Sequence, residues 1–238
     1  MFRRFYLLIL AALLLSACSS LEPLETTATS QRFQVTIENL TTGQAFTPPL
    51  IATHRPSTAL FQVGQTASLG IKEIAENGNL APMLEALANN KHVSDVMVAI
   101  AGDPPPLFPG QTVSVEISSS LGAKYISFAS MLICTNDGFT GLNTLRLPQT
   151  VGATVTAYTD AYDAGTEINT EDFADIVPPC PVLSGVATDK PGTGMSNPEL
   201  AEGGVIHHHS GIQGGSDLDP SIHGWADPVA KVTITRLD

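Results

Sequence analysis

The sequence predicts an all-β fold, an antiparallel β-sandwich with one or two short helices at one end. Three observations predict it. Apolar and polar residues alternate in several short runs, Gly and Pro clusters separate those runs, and helical spacing is confined to Ala67–Asn90. Alternation with period two puts every second side chain on one face of a strand. Many such runs with turn residues between them favour a sandwich.

In chain order, Phe33, Val35 and Ile37 alternate with Gln34, Thr36 and Glu38, so Arg32–Glu38 reads as a half-buried strand. Leu69, Ile74 and Ala75 are expected to share a helical face, and Gly78 is a stop. Pro82 suits the first turn of a second helix, which continues through Met83, Leu84 and Leu87. The two helices are expected to cross one end of the sandwich with their apolar spacing turned to the core. Val96, Val98 and Ile100 resume the strand period after His92, and Val113, Val115 and Ile117 repeat it. Lys124–Ile133 is apolar on both faces and reads as a central strand: Ile126, Phe128 and Leu132 oppose Tyr125, Ala129 and Met131. Val151–Thr159 alternates with Ala and Thr, and Lys231–Arg236 sets Val232 and Ile234 between threonines. Gly185–Pro228 is Gly-rich and loop-like, a length that calls for a function or for packing partners.

Composition narrows the function classes. The 238 residues carry 11 Lys+Arg against 23 Asp+Glu, a formal charge of −12. Such a balance argues against nucleic acid as a partner, because phosphate binding needs a basic patch. Apolar residues make up 43%, enough for a core.

The first residues address the compartment. Arg3-Arg4 precedes an unbroken apolar run, Phe5–Leu15, and then Leu15-Ser16-Ala17-Cys18. This is the layout of a secretory signal, too short to span a membrane as a helix. Leu-Ser-Ala-Cys resembles the lipobox of bacterial lipoproteins. That resemblance implies cleavage before Cys18, acylation of its sulfur and anchoring to a membrane by several acyl chains. Ser19, rather than Asp, after the cysteine implies the outer membrane. The alternative is an ordinary signal peptide with an incidental Cys18. The domain plan is therefore a signal peptide over 1–17, a lipidated Cys18 with a flexible tether over 18–30, and a folded domain over 31–238. Export makes a disulfide between Cys134 and Cys180 the default, two free thiols being the alternative.

Two clusters bear on chemistry. Asp137 sits in Thr135–Gly141, just after the central strand, and Asp163 and Glu167 sit in Tyr162–Glu167, after another strand. Calcium takes six to eight hard oxygens from carboxylates, carbonyls and water. Two acidic loops at strand ends can converge on one ion, with Gly165 allowing the turn. Solvated acidic turns are the alternative. The second cluster is His207-His208-His209, near Asp217, Asp219 and His223. Imidazole suits zinc, copper or nickel, but adjacent residues of an extended chain point to opposite sides, so at most two of the three share an ion easily. A solvated loop is the alternative here too.

A family resemblance rests on ordered motifs. Ile37-Glu38-Asn39-Leu40-Thr41-Thr42-Gly43-Gln44, Pro48-Pro49-Leu50-Ile51-Ala52-Thr53-His54 and Asp163-Ala164-Gly165-Thr166-Glu167 resemble the bacterial branch of the spondin N-terminal domain family. Phe61-Gln62-Val63-Gly64 and Ala75-Glu76-Asn77-Gly78 fit the same pattern, and the likeness runs from about Arg32 to Leu237. It implies a C2-domain-like sandwich, carried in eukaryotes by matrix adhesion proteins. It also implies calcium held by an Asp in a Ser-Pro-Asp-Trp motif and two acids in an Asp-Ala-Gly-Thr-Asp motif, which fall on Asp137, Asp163 and Glu167. Asn136-Asp137-Gly138 lacks the flanking Pro and Trp, and Glu167 replaces an Asp with a longer arm. An affinity in the ~10⁻⁴–10⁻³ M band of extracellular modules is expected.

Hydrolase signatures are absent: the sequence has no Gly-x-Ser-x-Gly, no His-Glu-x-x-His and no phosphate-cradling glycine loop. The expectation is a non-enzymatic, calcium-binding envelope lipoprotein that meets a protein or glycan. The alternatives are a periplasmic transition-metal binder using the histidine loop and, behind it, a cryptic hydrolase with a carboxylate pair among the acids.

Overall fold

Strand β1 (Gln31–Asn39) follows its alternation: Phe33, Val35 and Ile37 are buried and the residues between them face outward. The computed structural model describes residues 30–238. The expected signal peptide, Cys18 and nearly all of the tether lie outside the described residues. Among those described, ten strands form two antiparallel sheets. One has the order β4-β1-β10-β7, built from β4 (Thr112–Ser119), β1, β10 (Ala230–Arg236) and β7 (Thr154–Thr159). The other has the order β3-β2-β5-β6-β8-β9, from β3 (Val93–Val98), β2 (Leu50–His54), β5 (Tyr125–Met131), β6 (Gly138–Arg146), β8 (Ala161–Asp163) and β9 (His207–His208). The protein is thus an all-β sandwich with a few short helices.

Between the sheets, Phe33, Val35, Ile37, Val232 and Ile234 meet Ile51, Ile126 and Phe128. β5 is central and buried on both faces, as its two apolar sides predict. Its other side, with Ala129 and Met131, meets a second core under helices α1 (Leu69–Asn77) and α2 (Ala81–Ala88). These helices cover the outer face of the six-stranded sheet. Ser68 caps α1 by accepting the Ile71 N–H, and Gly78 ends it at φ 64°. The buried stripe of α1 is Ile71, Ile74 and Ala75, whereas Leu69 is 65% exposed. A separation of five from Ile74 carries Leu69 off the stripe that i, i+3, i+4 spacing defines. Ile100 and Val151, expected in strands, lie beyond the ends of β3 and β7 and are exposed.

The long segment 185–228 is packed rather than loose. Ile206, Ile212 and Leu218 enter the second core. Glu171 answers the backbone N–H groups of Gln213 and Gly215, and Asp217 answers that of Phe173. α3 (Pro179–Ser184) begins at the Cys134–Cys180 disulfide, which is formed. α4 (Pro220–His223) packs His223 fully inside. Among the described residues no helix is long and apolar enough to cross a membrane.

Candidate metal centre

Asp137 owes its position to a tight turn joining β5 to β6. Thr135 Oγ1 donates to the Leu132 carbonyl (2.7 Å) and accepts the Gly138 N–H (2.9 Å), which closes the turn. A buried amide fixes the turn's root. Gln44 Oε1 accepts the Cys134 N–H at 2.9 Å, and its Nε2 donates to the carbonyls of Cys134 (3.1 Å) and His223 (2.6 Å). Asn136 then ties the turn to the next loop, donating to Thr170 Oγ1 and accepting the Glu171 N–H.

The pairing of β6 with β8 sets Gly138 opposite Asp163, which brings the two acidic loops together. Asp137 is fully buried. Its Oδ2 accepts the N–H groups of Thr166 (2.7 Å) and Glu167 (3.0 Å) and the Thr166 hydroxyl (3.2 Å). Its Oδ1 is buried with no hydrogen-bond partner. Burial, and after it the Asp163 charge, push the Asp137 carboxyl up to about 6, against the pull of the Thr166 and Glu167 N–H groups. Asp163 is better supplied. Its Oδ1 accepts the Gly165 N–H (2.7 Å) and its Oδ2 the Asn169 side-chain amide (2.6 Å). Gly165 sits at φ +67°, and a Cβ there would meet the Val205 backbone at 2.6 Å, so the turn requires glycine.

Glu167 faces another acid. Burial first, then the Glu76 charge, push its carboxyl up to about 8; Asp137 and Asp175 add to this and the Asn197 N–H opposes it. Glu76, on α1, is itself 5% exposed, and neither of its oxygens has a hydrogen-bond partner. Lys72 Nζ stands 3.6 Å from its Oε1. Sequence reading missed Glu76 and Asp175 as site residues. The signal for Glu76 was its place beside the buried Ile74–Ala75 pair, where an acid is expensive without a partner.

The histidines do not converge. His207 Nδ1 donates to the Val205 carbonyl and lies 3.7 Å from Asp163 Oδ1. His208 points to the other face, its ring 5.2 Å from that of Tyr162. His209 turns inward, edge-on to Trp225 at 5.0 Å, and its Nδ1 accepts the Gly211 N–H. That bond places the neutral ring's proton on Nε2, which leaves no lone pair there for a metal.

Among the described residues, one trio of Cys, His or acidic ligand atoms lies mutually within 4.8 Å: Cys134, Cys180 and His223. Its two sulfurs are spent in the disulfide. The carboxylates of Asp137, Asp163 and Glu167 are therefore neighbours in an open set. Openness is compatible with calcium, because opposite oxygens of one ion, each 2.3–2.6 Å away, stand about 5 Å apart. The orphaned Asp137 oxygen, the facing acids and the surrounding hard oxygens fit that ion better than any softer metal.

Against known families, the chain matches the spondin N-terminal domain model (Spondin_N) over residues 29–173, more than half of its length. The match takes in Glu76, Asp137, Asp163 and Glu167 and stops short of Cys180 and of His207, His208 and His209. No curated protein matches the chain.

Proposed function

Because the chain belongs to the spondin N-terminal domain family, we propose that it is a non-enzymatic binding or adhesion module. In this reading calcium fixes the loops at one end of the sandwich, and a lipid on Cys18 holds the module at a bacterial envelope, at the outer membrane. Asp137, Asp163 and Glu167 would hold the ion. The ion would supply the positive charge that these crowded carboxylates lack. The loops so fixed would meet a protein or glycan.

The observation that carries this reading is Asp137. A fully buried carboxylate accepts three hydrogen bonds on one oxygen and none on the other, with two more acids beside it. A buried charge left in that state is costly unless something neutralises it. The 167-side backbone is folded around Asp137, so neutralisation there stabilises both loops at once.

Thermal unfolding in calcium and in chelator tests the proposal. Calcium at about 100 times its Kd adds roughly 2.7 kcal/mol, a rise of several degrees in Tm. Asp137→Asn is expected to remove most of that rise. A melting curve indifferent to both calcium and chelator overturns the reading.

A further inference from the structure

We propose that the Cys134–Cys180 disulfide is an exchangeable bond, and that His223 keeps it open to dithiol reductants by donating to the thiolate that reduction leaves. A ring nitrogen of His223 and the two sulfurs lie mutually within 4.8 Å. This goes beyond the calcium reading above and does not depend on it.

One contact fixes the tautomer. His223 Nδ1 accepts the Asp219 N–H at 3.0 Å, so the proton of the neutral ring is on Nε2. Burial favours that neutral form, pushing the ring below the usual histidine range. The ring is wholly enclosed, edge-on to Phe173 at 5.9 Å, and its Nε2–H has no acceptor in the oxidised chain. A buried donor without an acceptor is costly, and a bonded sulfur accepts only weakly. A thiolate accepts strongly and is stabilised by a neighbouring N–H, so reduction supplies what the ring lacks.

What holds Cys134 beside His223 is not the disulfide. Gln44 Nε2 donates to the carbonyls of both residues, and its Oε1 accepts the Cys134 N–H. Asp219 in turn caps α4 by accepting the Ser221 N–H at 2.8 Å. Cys180 is carried by α3, a helix of six residues, and Cys134 lines a cavity of about 170 Å³ beside Ser184 and Ile222. Local opening of so short a helix is the route by which a thiol reaches sulfurs that are otherwise shut in.

The exchange balances with the dithiol alone. One of its thiolates attacks a sulfur, the Cys134–Cys180 bond breaks to leave a mixed disulfide, and the second thiol displaces the chain. Two electrons pass to the cysteine pair and the reductant leaves as its own disulfide. Of its two protons, one stays on one cysteine and the other goes to solvent, because the second cysteine remains a thiolate on His223 Nε2–H.

The test equilibrates the full chain in buffers of reduced and oxidised dithiothreitol, traps thiols by alkylation and counts them by mass spectrometry. The parent is expected to be reduced while still folded and to show thiolate absorbance in the ultraviolet at neutral pH. His223→Leu removes the donor and is expected to shift the equilibrium about tenfold or more toward the disulfide and to lose that absorbance. His223→Gln keeps an N–H and is expected to fall between the two. A parent that gives up its disulfide only on unfolding overturns the proposal, as does a reduced parent without thiolate absorbance, a reading that stands even where His223→Leu does not fold. An equilibrium unchanged in His223→Leu, or shifted equally in both variants, also overturns it and leaves His223 a packing residue.

Discussion

Gln44 shows how much of the site hangs on single side chains. Its buried amide answers the N–H and carbonyl of Cys134, in the β5–β6 turn, and the carbonyl of His223, in α4, two places far apart in the chain. Gln44→Ala leaves three buried backbone groups without a partner, at about 1–3 kcal/mol each before relaxation. A loss of roughly 3 kcal/mol in denaturant unfolding is expected, with no change in m; a loss under about 1 kcal/mol would mean that water replaces the amide. Gly165→Ala forces a Cβ against the Val205 backbone at positive φ. It is expected to cost about 2 kcal/mol or more and to weaken calcium binding, because the turn it distorts carries Asp163, Thr166 and Glu167. At this scale the sequence was partly legible. Asp137, Asp163 and Glu167 were singled out by motif order, and the loops do meet. Glu76 enters the sequence reading only within Ala75-Glu76-Asn77-Gly78, its one local signal being its place beside Ile74 and Ala75. Residues 193–198, which line a cavity together with it, lie far along the chain, and the pattern around Glu76 does not announce them.

Among the elements, strands with one wet face declared themselves: β1, β4 and β10 alternate as they are buried. β2 is buried at all five positions and so has no alternation to read. β6 contains two glycines, an Asn and two threonines, and β8 is three residues long; tertiary pairing, rather than propensity, makes them strands. Those two are the elements that set Gly138 against Asp163, so the convergence of the acidic loops was less visible than the acids themselves. The Cys134–Cys180 bond belongs to this scale, since it ties the β5–β6 turn to α3 and encloses Asp137, Asp163, Glu167 and Asp175 in one covalent loop. Reducing it is expected to cost about 2–4 kcal/mol. It should also weaken calcium binding, because the loop ends then move independently. A calcium isotherm unchanged by reduction would show that the acidic loops are held by their hydrogen bonds alone.

The whole molecule carries −12, and some of that charge is internal. Asp137 and Glu167 are held up to about 6 and about 8, above their unfolded values. Between the unfolded and folded values the native chain holds the extra protons, so stability falls as pH rises. In chelator, Tm is therefore expected to fall steadily from pH 5 to pH 8, and saturating calcium should flatten that slope. Equal slopes with and without the ion, measured by calorimetry across this range, would detach the titration from the metal. The wiring of the four-stranded sheet has a separate bearing. β1 and β10 are drawn from the two extremes of the described chain, yet they pair side by side in its middle, and β7 pairs with β10 alone. While the polypeptide is still being synthesised, β1 has one neighbour and β7 has none until residues 230–236 emerge. Half the sandwich thus stays open until the strand that joins its two sides is made, and pairing over so long a stretch of chain is slow to form.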